Sequence, residues 1–237
     1  EFRIKSGIWK NRNLWDLYKK AQTPYDWHYD AFKIAKKIKI PIFSTPFSIK
    51  ALKFLDKFKP TIYKVASFEI TDLNLIREIA KKRKPVILST GMAKLSEISN
   101  AVKEIEKIHK KIIILHCVSG YPTPESEANI NKINLLKVKF PNKILGISDH
   151  TNDINSSLAA VAMGAKVIEK HFKISNKIKS PDSKFSINPV QLKELKIRSE
   201  SIFASIGKQT TKIKDSEKHS YIFRRSIFAR RNLKKKG

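Results

Sequence analysis

"GISDHTNDINSSLAAVAMGAKVIEKHF", residues 146–172, holds two of the chain's six histidines. Each belongs to a short apolar run, "KILGISDH" ending at His150 and "AKVIEKHF" carrying His171 next to its end. The segment between them, "DINSSLAAVAMGA", spaces its apolar residues three and four apart, the period of a helix with one buried face. The flanking runs are apolar almost without a break. Strands of that kind are buried on both faces, as in a parallel sheet covered by helices. The stretch reads as strand, helix, strand, with a histidine delivered at the end of each strand.

The same unit repeats along the chain. Strands are predicted over 40–47 ("IPIFSTPF"), 61–69, 85–91, 111–122, 143–151 and 165–172. Helices are predicted between them in "SIKALKFLDKF", "TDLNLIREIAKK", "KLSEISNAVKEIEKI", "NINKINLLKVKF" and "INSSLAAVAMGA", and a last one in "NPVQLKELKIRSESIFASIG". Strand starts fall roughly 20 to 30 residues apart, the length of one βα unit. No GxGxxG or GxxxxGK[ST] follows a strand, which counts against a nucleotide-binding sheet. The pattern predicts an α/β fold, a (β/α)8 TIM barrel. Such a barrel has eight strands and six are visible. Residues 1–27 read as a long polar loop without a strand, so the first two βα units are expected upstream of Glu1. Residues 1–210 are the expected barrel domain, and 211–237, ending in "RRSIFARRNLKKKG", a linker and the start of a truncated second domain.

Of 237 residues, 41% are hydrophobic and 9% aromatic, enough for one substantial core and unlike a disordered chain. The single cysteine, Cys117, excludes an internal disulfide and fits a reducing, cytoplasmic compartment. No apolar run approaches the ~20 residues that cross a bilayer, and the first residues have no signal-peptide core. The net charge is +28, from 49 Lys+Arg against 21 Asp+Glu. A polyanion partner such as nucleic acid is one reading of that excess. The lysines, however, are spread through helical segments such as "IAKKRK" and "KEIEKIHKK", with no basic arm interleaved with aromatics. That is the pattern of solvated helix faces. A membrane or a specific nucleic-acid partner is therefore not expected, and a basic anion-binding or nucleic-acid-binding protein stands as the non-enzymatic alternative.

In α/β barrels the active site forms where the strands end. The residues expected there are Ser44 and Thr45; Lys64, Ser67 and Glu69; Ser89 and Thr90; His116, Ser119 and Tyr121; Ser148, Asp149 and His150; Glu169 and His171. Hydroxyls, backbone N–H groups and a lysine suit a phosphate-bearing anion. Two histidines on neighbouring strand ends can share one divalent cation and leave positions open for substrate. Plainer readings stand beside these. A strand-end histidine can be hydrogen-bonded structure, Ser67 and Ser89 can cap helices, and Lys64 can be an ion-pair residue or a Schiff-base nucleophile. Trp15, Tyr18, Tyr25 and Trp27 read as loop packing, and His28, His109 and His219 take no role.

At these motifs the chain resembles the sialic acid synthase family, enzymes that condense phosphoenolpyruvate with an amino sugar to make nonulosonic acids. The matching segments are "FSTPF", "YKVASFEITDLNLI", "KPVILSTGMA", "LHCVSGYPTP", "GISDHT", "GAKVIEKHF" and "PDSKFSINP", in family order from about residue 40 to 190. "LWDLYKKAQTPYDWH" and "SPDSKFS" look like the pseudaminic acid synthase branch. The resemblance implies a metal-dependent barrel, followed by a small antifreeze-like (SAF) domain that caps a partner's site in a homodimer. It implies that His150 and His171 hold a divalent metal, Mn2+ with Mg2+ or Co2+ as alternatives, and act with Glu69 in catalysis. Thr45, Lys64, Ser67, Ser89 and Ser148 would surround phosphoenolpyruvate, with Ser119 standing where some members have asparagine. Glu69, Tyr121 and Asp182 would face the sugar. The implied reaction joins phosphoenolpyruvate, a 2,4-diacetamido-2,4,6-trideoxyhexose and water to give pseudaminic acid and phosphate. The alternative within the family is an N-acetylneuraminate or legionaminate synthase using N-acetylmannosamine or a related sugar.

Overall fold

A computed structural model describes residues 2–5, 7, 9–232 and 234. Its backbone divides into two units, Glu1–Ser205 and Ile206–Gly237. The first contains a five-stranded parallel sheet: β1 (Tyr63–Val65), β2 (Val86–Ser89), β3 (Ile112–Cys117), β4 (Ile144–Asp149) and β5 (Val167–Lys170). The strands lie side by side in chain order, each hydrogen-bonded to the next. Helices α4 (Leu73–Ala80), α5 (Leu95–Glu106), α6 (Lys132–Lys139) and α7 (Asn155–Ala162) make the four crossovers. A doubly wound sheet reverses its strand order partway and places helices on both faces. An unbroken order keeps them on one face and lets the sheet curl away from them.

Alternation along each strand sorts the side chains. Tyr63, Val65, Val86, Leu88, Ile112, Ile114, Leu145 and Ile147 are buried and pack with Ile76 and Ile79 of α4, Ile98 and Ile105 of α5, Leu136 of α6 and Ala160 of α7. Burying each large aliphatic side chain stabilises the fold by roughly 1.5–3 kcal/mol. The intervening residues, among them Lys64, Ser89, Cys117, Ser148 and Glu169, face the other side. Lys64 Nζ on β1 lies 3.0 Å from Glu169 Oε1 on β5, so the two edge strands touch through side chains. In a flat sheet, four steps of about 4.8 Å would hold those edges ~19 Å apart, farther than these side chains can bridge. The sheet is therefore curled, and the five strands form half a barrel with a polar concave face.

Three expectations change. The stretch 40–47 carries no strand but runs as unpaired chain into α3 (Ile49–Asp56). A strand needs a ladder partner as well as an apolar run, and among the described residues three-residue β1 pairs only with β2. Residues 1–27 contain a helix, α1 (Leu14–Ala21), capped by Asn13, whose side chain accepts from the amides of Trp15 and Asp16. A second helix, α2 (Trp27–Ile38), follows it. Trp15, Tyr18, Tyr25 and Trp27 are all exposed, and of that group Tyr25 lies edge-on to the half-buried Phe54 at 4.4 Å. The predicted helix after the last strand is α8 (Pro189–Ile206). In the second unit the described residues are exposed and hold one 3-10 segment, Asp215–Phe223.

Candidate active site

The two histidines meet. His150 follows β4 directly, His171 follows β5, and their ring centroids are 5.3 Å apart. His150 Nδ1 donates to the Val118 carbonyl at 2.9 Å, which leaves the lone pair on Nε2. Burial opposes charge on His150, but Cys117, the Val118 carbonyl and Glu169 outweigh it and raise its proton affinity. His171 Nδ1 lies 3.4 Å from Asp182 Oδ2, and its carbonyl accepts from Ile187 N at 2.9 Å, which pins the backbone. A carbonyl or carboxylate behind one imidazole nitrogen is how metal-binding histidines are oriented. Among the described residues no third His, Cys, Asp or Glu joins them as a ligand set. The donors present fit a divalent cation held by two imidazoles, with its other positions left to water and substrate.

Aromatic rings wall this pair. Tyr121 lies 4.3 Å from His150 and 6.2 Å from His171, centroid to centroid. Phe185, fully buried, packs edge-on to His171 at 4.8 Å. Trp9 extends the wall, 5.7 Å from Tyr121, and donates from Nε1 to the carbonyl of Pro181, just before Asp182. Burial first, then nearby negative charge, holds the Tyr121 hydroxyl protonated far above neutrality. Beside Trp9 lies a cavity of about 240 Å³ lined by Arg12, Lys20, Lys179 and Lys184, with no carboxylate among its lining residues.

Next to the histidines is a pocket of hydroxyls. Ser67 Oγ accepts from Gly91 N at 3.0 Å. A Cβ at Gly91 would stand 2.1 Å from Ser119 Oγ and 2.8 Å from Ser67 Oγ, so only glycine lets these hydroxyls converge. Ser89 Oγ is buried and has no hydrogen-bond partner among the described residues. Cys117 joins the pocket to the histidines, its Sγ 3.9 Å from Ser119 Oγ and 3.8 Å from His150 Nδ1. Lys64 and Ser148 both reach Glu169 Oε1, at 3.0 and 2.8 Å. The arrangement offers an anion several O–H donors and one cation. Glu69, in the 3-10 turn Ser67–Glu69, has a buried Oε2 with no hydrogen-bond partner among the described residues. Burial raises its pKa against the pull of its own backbone N–H and of Lys64, so it holds a proton more tightly than an ordinary glutamate.

Of the residues picked from sequence, His150, His171, Tyr121 and Asp182 come together around the histidine pair, while Lys64, Ser67, Ser89, Ser119 and Ser148 line the adjoining concave face. Thr45 is half-buried on the unpaired 40–47 segment, and no hydrogen bond among the described residues joins it to that cluster. Two rim residues face the wrong way. His116 pairs with Ile147, so it points toward the helices and donates from Nε2 to Ala128 O at 2.7 Å. Asp149, one residue past Ser148, is likewise turned to the helices, toward Ser157 of α7. Cys117, Gly91 and Trp9 belong to the site and were not singled out. "HCVSG" and "STG" carried a signal in small polar residues at two strand ends, whereas Trp9 stands in a segment read as loop.

Comparison with known proteins gives the chain's family. The pseudaminic acid synthase of Campylobacter jejuni subsp. jejuni serotype O:23/36 is 40% identical over 237 residues, covering 99% of this chain and 68% of that protein. The N,N'-diacetyllegionaminic acid synthase of C. jejuni serotype O:2 is 41% identical over 212 residues, 88% of this chain and 63% of that one. In the crystal structure of N-acetylneuraminic acid synthetase from Leptospira borgpetersenii serovar Hardjo-bovis in complex with citrate, the matching fold superposes with a TM-score of 0.83 at 34% identity, over 88% of this chain and 73% of that one. These relatives are nonulosonic acid synthases. Residues 1–211 match the NeuB family, and the chain belongs to that family.

Proposed function

We propose that this chain condenses phosphoenolpyruvate with a 2,4-diacetamido-2,4,6-trideoxyhexose and water, giving pseudaminic acid and phosphate. The observation that carries the reading is the junction, through Cys117, of a convergent histidine pair with a pocket of hydroxyls. The former suits the sugar's carbonyl and the latter an anionic enol phosphate. The pseudaminic branch is favoured by coverage, 40% identity over 99% of this chain against 41% over 88% for the legionaminic acid synthase.

Lys64 and the hydroxyls of Ser67, Ser89, Ser119 and Ser148 hold the phosphate and carboxylate of phosphoenolpyruvate, with Thr45 assigned to the same substrate. Tyr121 and Asp182 face the sugar. Carbon 3 of phosphoenolpyruvate bonds to the aldehyde carbon of the open-chain sugar, water adds at carbon 2, and the tetrahedral intermediate expels phosphate. Glu69, whose burial makes it hold a proton more tightly than an ordinary glutamate, delivers that proton from Oε2 to the oxygen that gains charge. A divalent cation held by His150 and His171, Mn2+ with Mg2+ or Co2+ as alternatives, supplies Lewis-acid polarisation when bound. Residues 1–210 form the synthase domain, 211–237 lead into an antifreeze-like domain, and the assembly is a cytoplasmic homodimer with no nucleic-acid or membrane partner. No described helix is long and apolar enough to cross a membrane.

The test is phosphate release from phosphoenolpyruvate. It should require both the diacetamido sugar and a divalent cation, and a chelator should stop it. Turnover with N-acetylmannosamine and none with the diacetamido sugar would move the chain to the neuraminate branch.

A further inference from the structure

The alternation that aims Ser148 and Glu169 at the concave face aims their successors, Asp149 and Lys170, at the helices. There Asp149 Oδ2 and Lys170 Nζ lie 3.0 Å apart, with side chains 1% and 3% exposed. So deep a pair adds little net stability, because desolvating two charges costs about as much as their attraction returns. Its other bonds point to a different use. Asp149 Oδ1 accepts from both the amide and the hydroxyl of Thr151, each at 2.8 Å. Asp149 Oδ2 accepts from Ser157 Oγ at 2.6 Å. Lys170 Nζ donates to the Thr151 carbonyl at 2.6 Å and more weakly to its hydroxyl at 3.3 Å.

The network therefore grips the residue before His150 and the residue after it, and its lysine is the residue before His171. We propose that Lys170, Asp149 and Thr151 are positioning residues that set the separation of His150 and His171, touching neither substrate nor cation. Beyond the ladder that pairs Asp149 with Lys170, a 3.0 Å ion pair plus one peptide unit on each side links the two rings. An apolar pair could hold the strands together but could not bond the amide and carbonyl of Thr151. Shifts of about 1 Å in such constellations are enough to disable them.

This inference rests on the proposed cation-binding role of the histidines, so the test keeps the two apart. Mn2+ binding is measured without substrate, by the loss of the free-ion paramagnetic resonance signal, alongside thermal unfolding and steady-state kinetics. The paired variant Lys170→Met with Asp149→Leu removes both charges at little net cost from the ion pair itself, and the stranded Thr151 and Ser157 groups should lower the unfolding temperature without abolishing the fold. Mn2+ affinity should nonetheless fall about 10- to 100-fold, as for lost supporting partners of metal ligands. kcat should drop while KM for phosphoenolpyruvate holds. Native affinity in the folded paired variant would overturn the proposal. Should that variant not fold, Ser157→Ala decides, since it removes one of the two partners that orient Asp149 Oδ2 and leaves both charges: affinity weakened several-fold supports the proposal, and unchanged affinity overturns it. His150→Ala and His171→Ala are run in parallel. If they leave Mn2+ affinity intact, it is the cation-binding role that fails.

Discussion

His116 and Cys117 are neighbours on β3 and face opposite ways, which makes His116 the internal control for the histidine pair. Replacing His150 or His171 with alanine should cost more Mn2+ affinity than the 10- to 100-fold lost with a supporting partner, and nearly all turnover. Phosphoenolpyruvate binding should largely survive on Lys64 and the serines. His116→Ala instead opens a cavity and strands the Ala128 carbonyl, so it should cost about 2–4 kcal/mol in denaturant unfolding and leave Mn2+ affinity unchanged. Loss of cation binding in His116→Ala equal to that in His150→Ala would show the ligands to be misassigned. Glu69 gives the second test at this scale. Its raised pKa means that its contribution to stability is fully present below the ordinary glutamate range and is lost as pH rises through the raised value. Glu69→Gln never ionises, so its unfolding temperature should match the parent near about pH 4 and exceed it at neutral pH. Turnover should fall by about 10²-fold or more. A variant less stable than the parent at neutral pH would mean the carboxylate is paired when charged.

The elements were legible where the signal is local. Five of six predicted strands and the predicted helices formed, because unbroken apolar runs and three-four spacing are read from a few residues at a time. The failures needed information from elsewhere in the chain. Segment 40–47 has a strand's composition but no ladder partner, and α1 is announced mainly by its Asn13 cap within a polar stretch. Facing direction was misjudged at His116 and Asp149, since a run shows where a strand ends but only the pairing register shows which residues look inward. Register also singles out Gly146. A Cβ there would lie 2.4 Å from the Val167 carbonyl oxygen and 2.6 Å from Leu115 Cδ2, so β4 and β5 approach as they do because residue 146 has no side chain. Gly146→Ala should push the two strands apart, destabilising the fold by about 1–3 kcal/mol in denaturant. It should also weaken Mn2+ binding, because the histidines follow these strands. Native stability in Gly146→Ala would show that the strands can separate freely.

At the scale of the whole molecule, the excess of cations is the feature that composition alone could not assign. Many carboxylates are already engaged: Asp56 with Lys82, Glu106 with Lys143, Glu169 with Lys64 and Asp149 with Lys170. With 49 basic against 21 acidic side chains, most lysines have no carboxylate of their own and together set up a positive field. A field of this kind acts on any anion, and two anions respond differently. A duplex held only by scattered surface lysines should bind without sequence preference and be released as salt approaches physiological strength, as counterion release requires. Phosphoenolpyruvate should be drawn to the site at low salt, when the Debye length is about 30 Å, and less so near 0.15 M, where it is about 8 Å. Raising salt from about 10 mM to 150 mM should therefore lower kcat/KM for phosphoenolpyruvate several-fold. The same change should leave kcat, and kcat/KM for the uncharged sugar, nearly constant, because bound substrates sit beside buried groups that salt screens little. Equal salt sensitivity for both substrates would mean that salt perturbs the fold or the cation, and that the surface charge does not steer. Duplex binding that is sequence-selective and persists at 150 mM would give the charge a purpose apart from the synthase site.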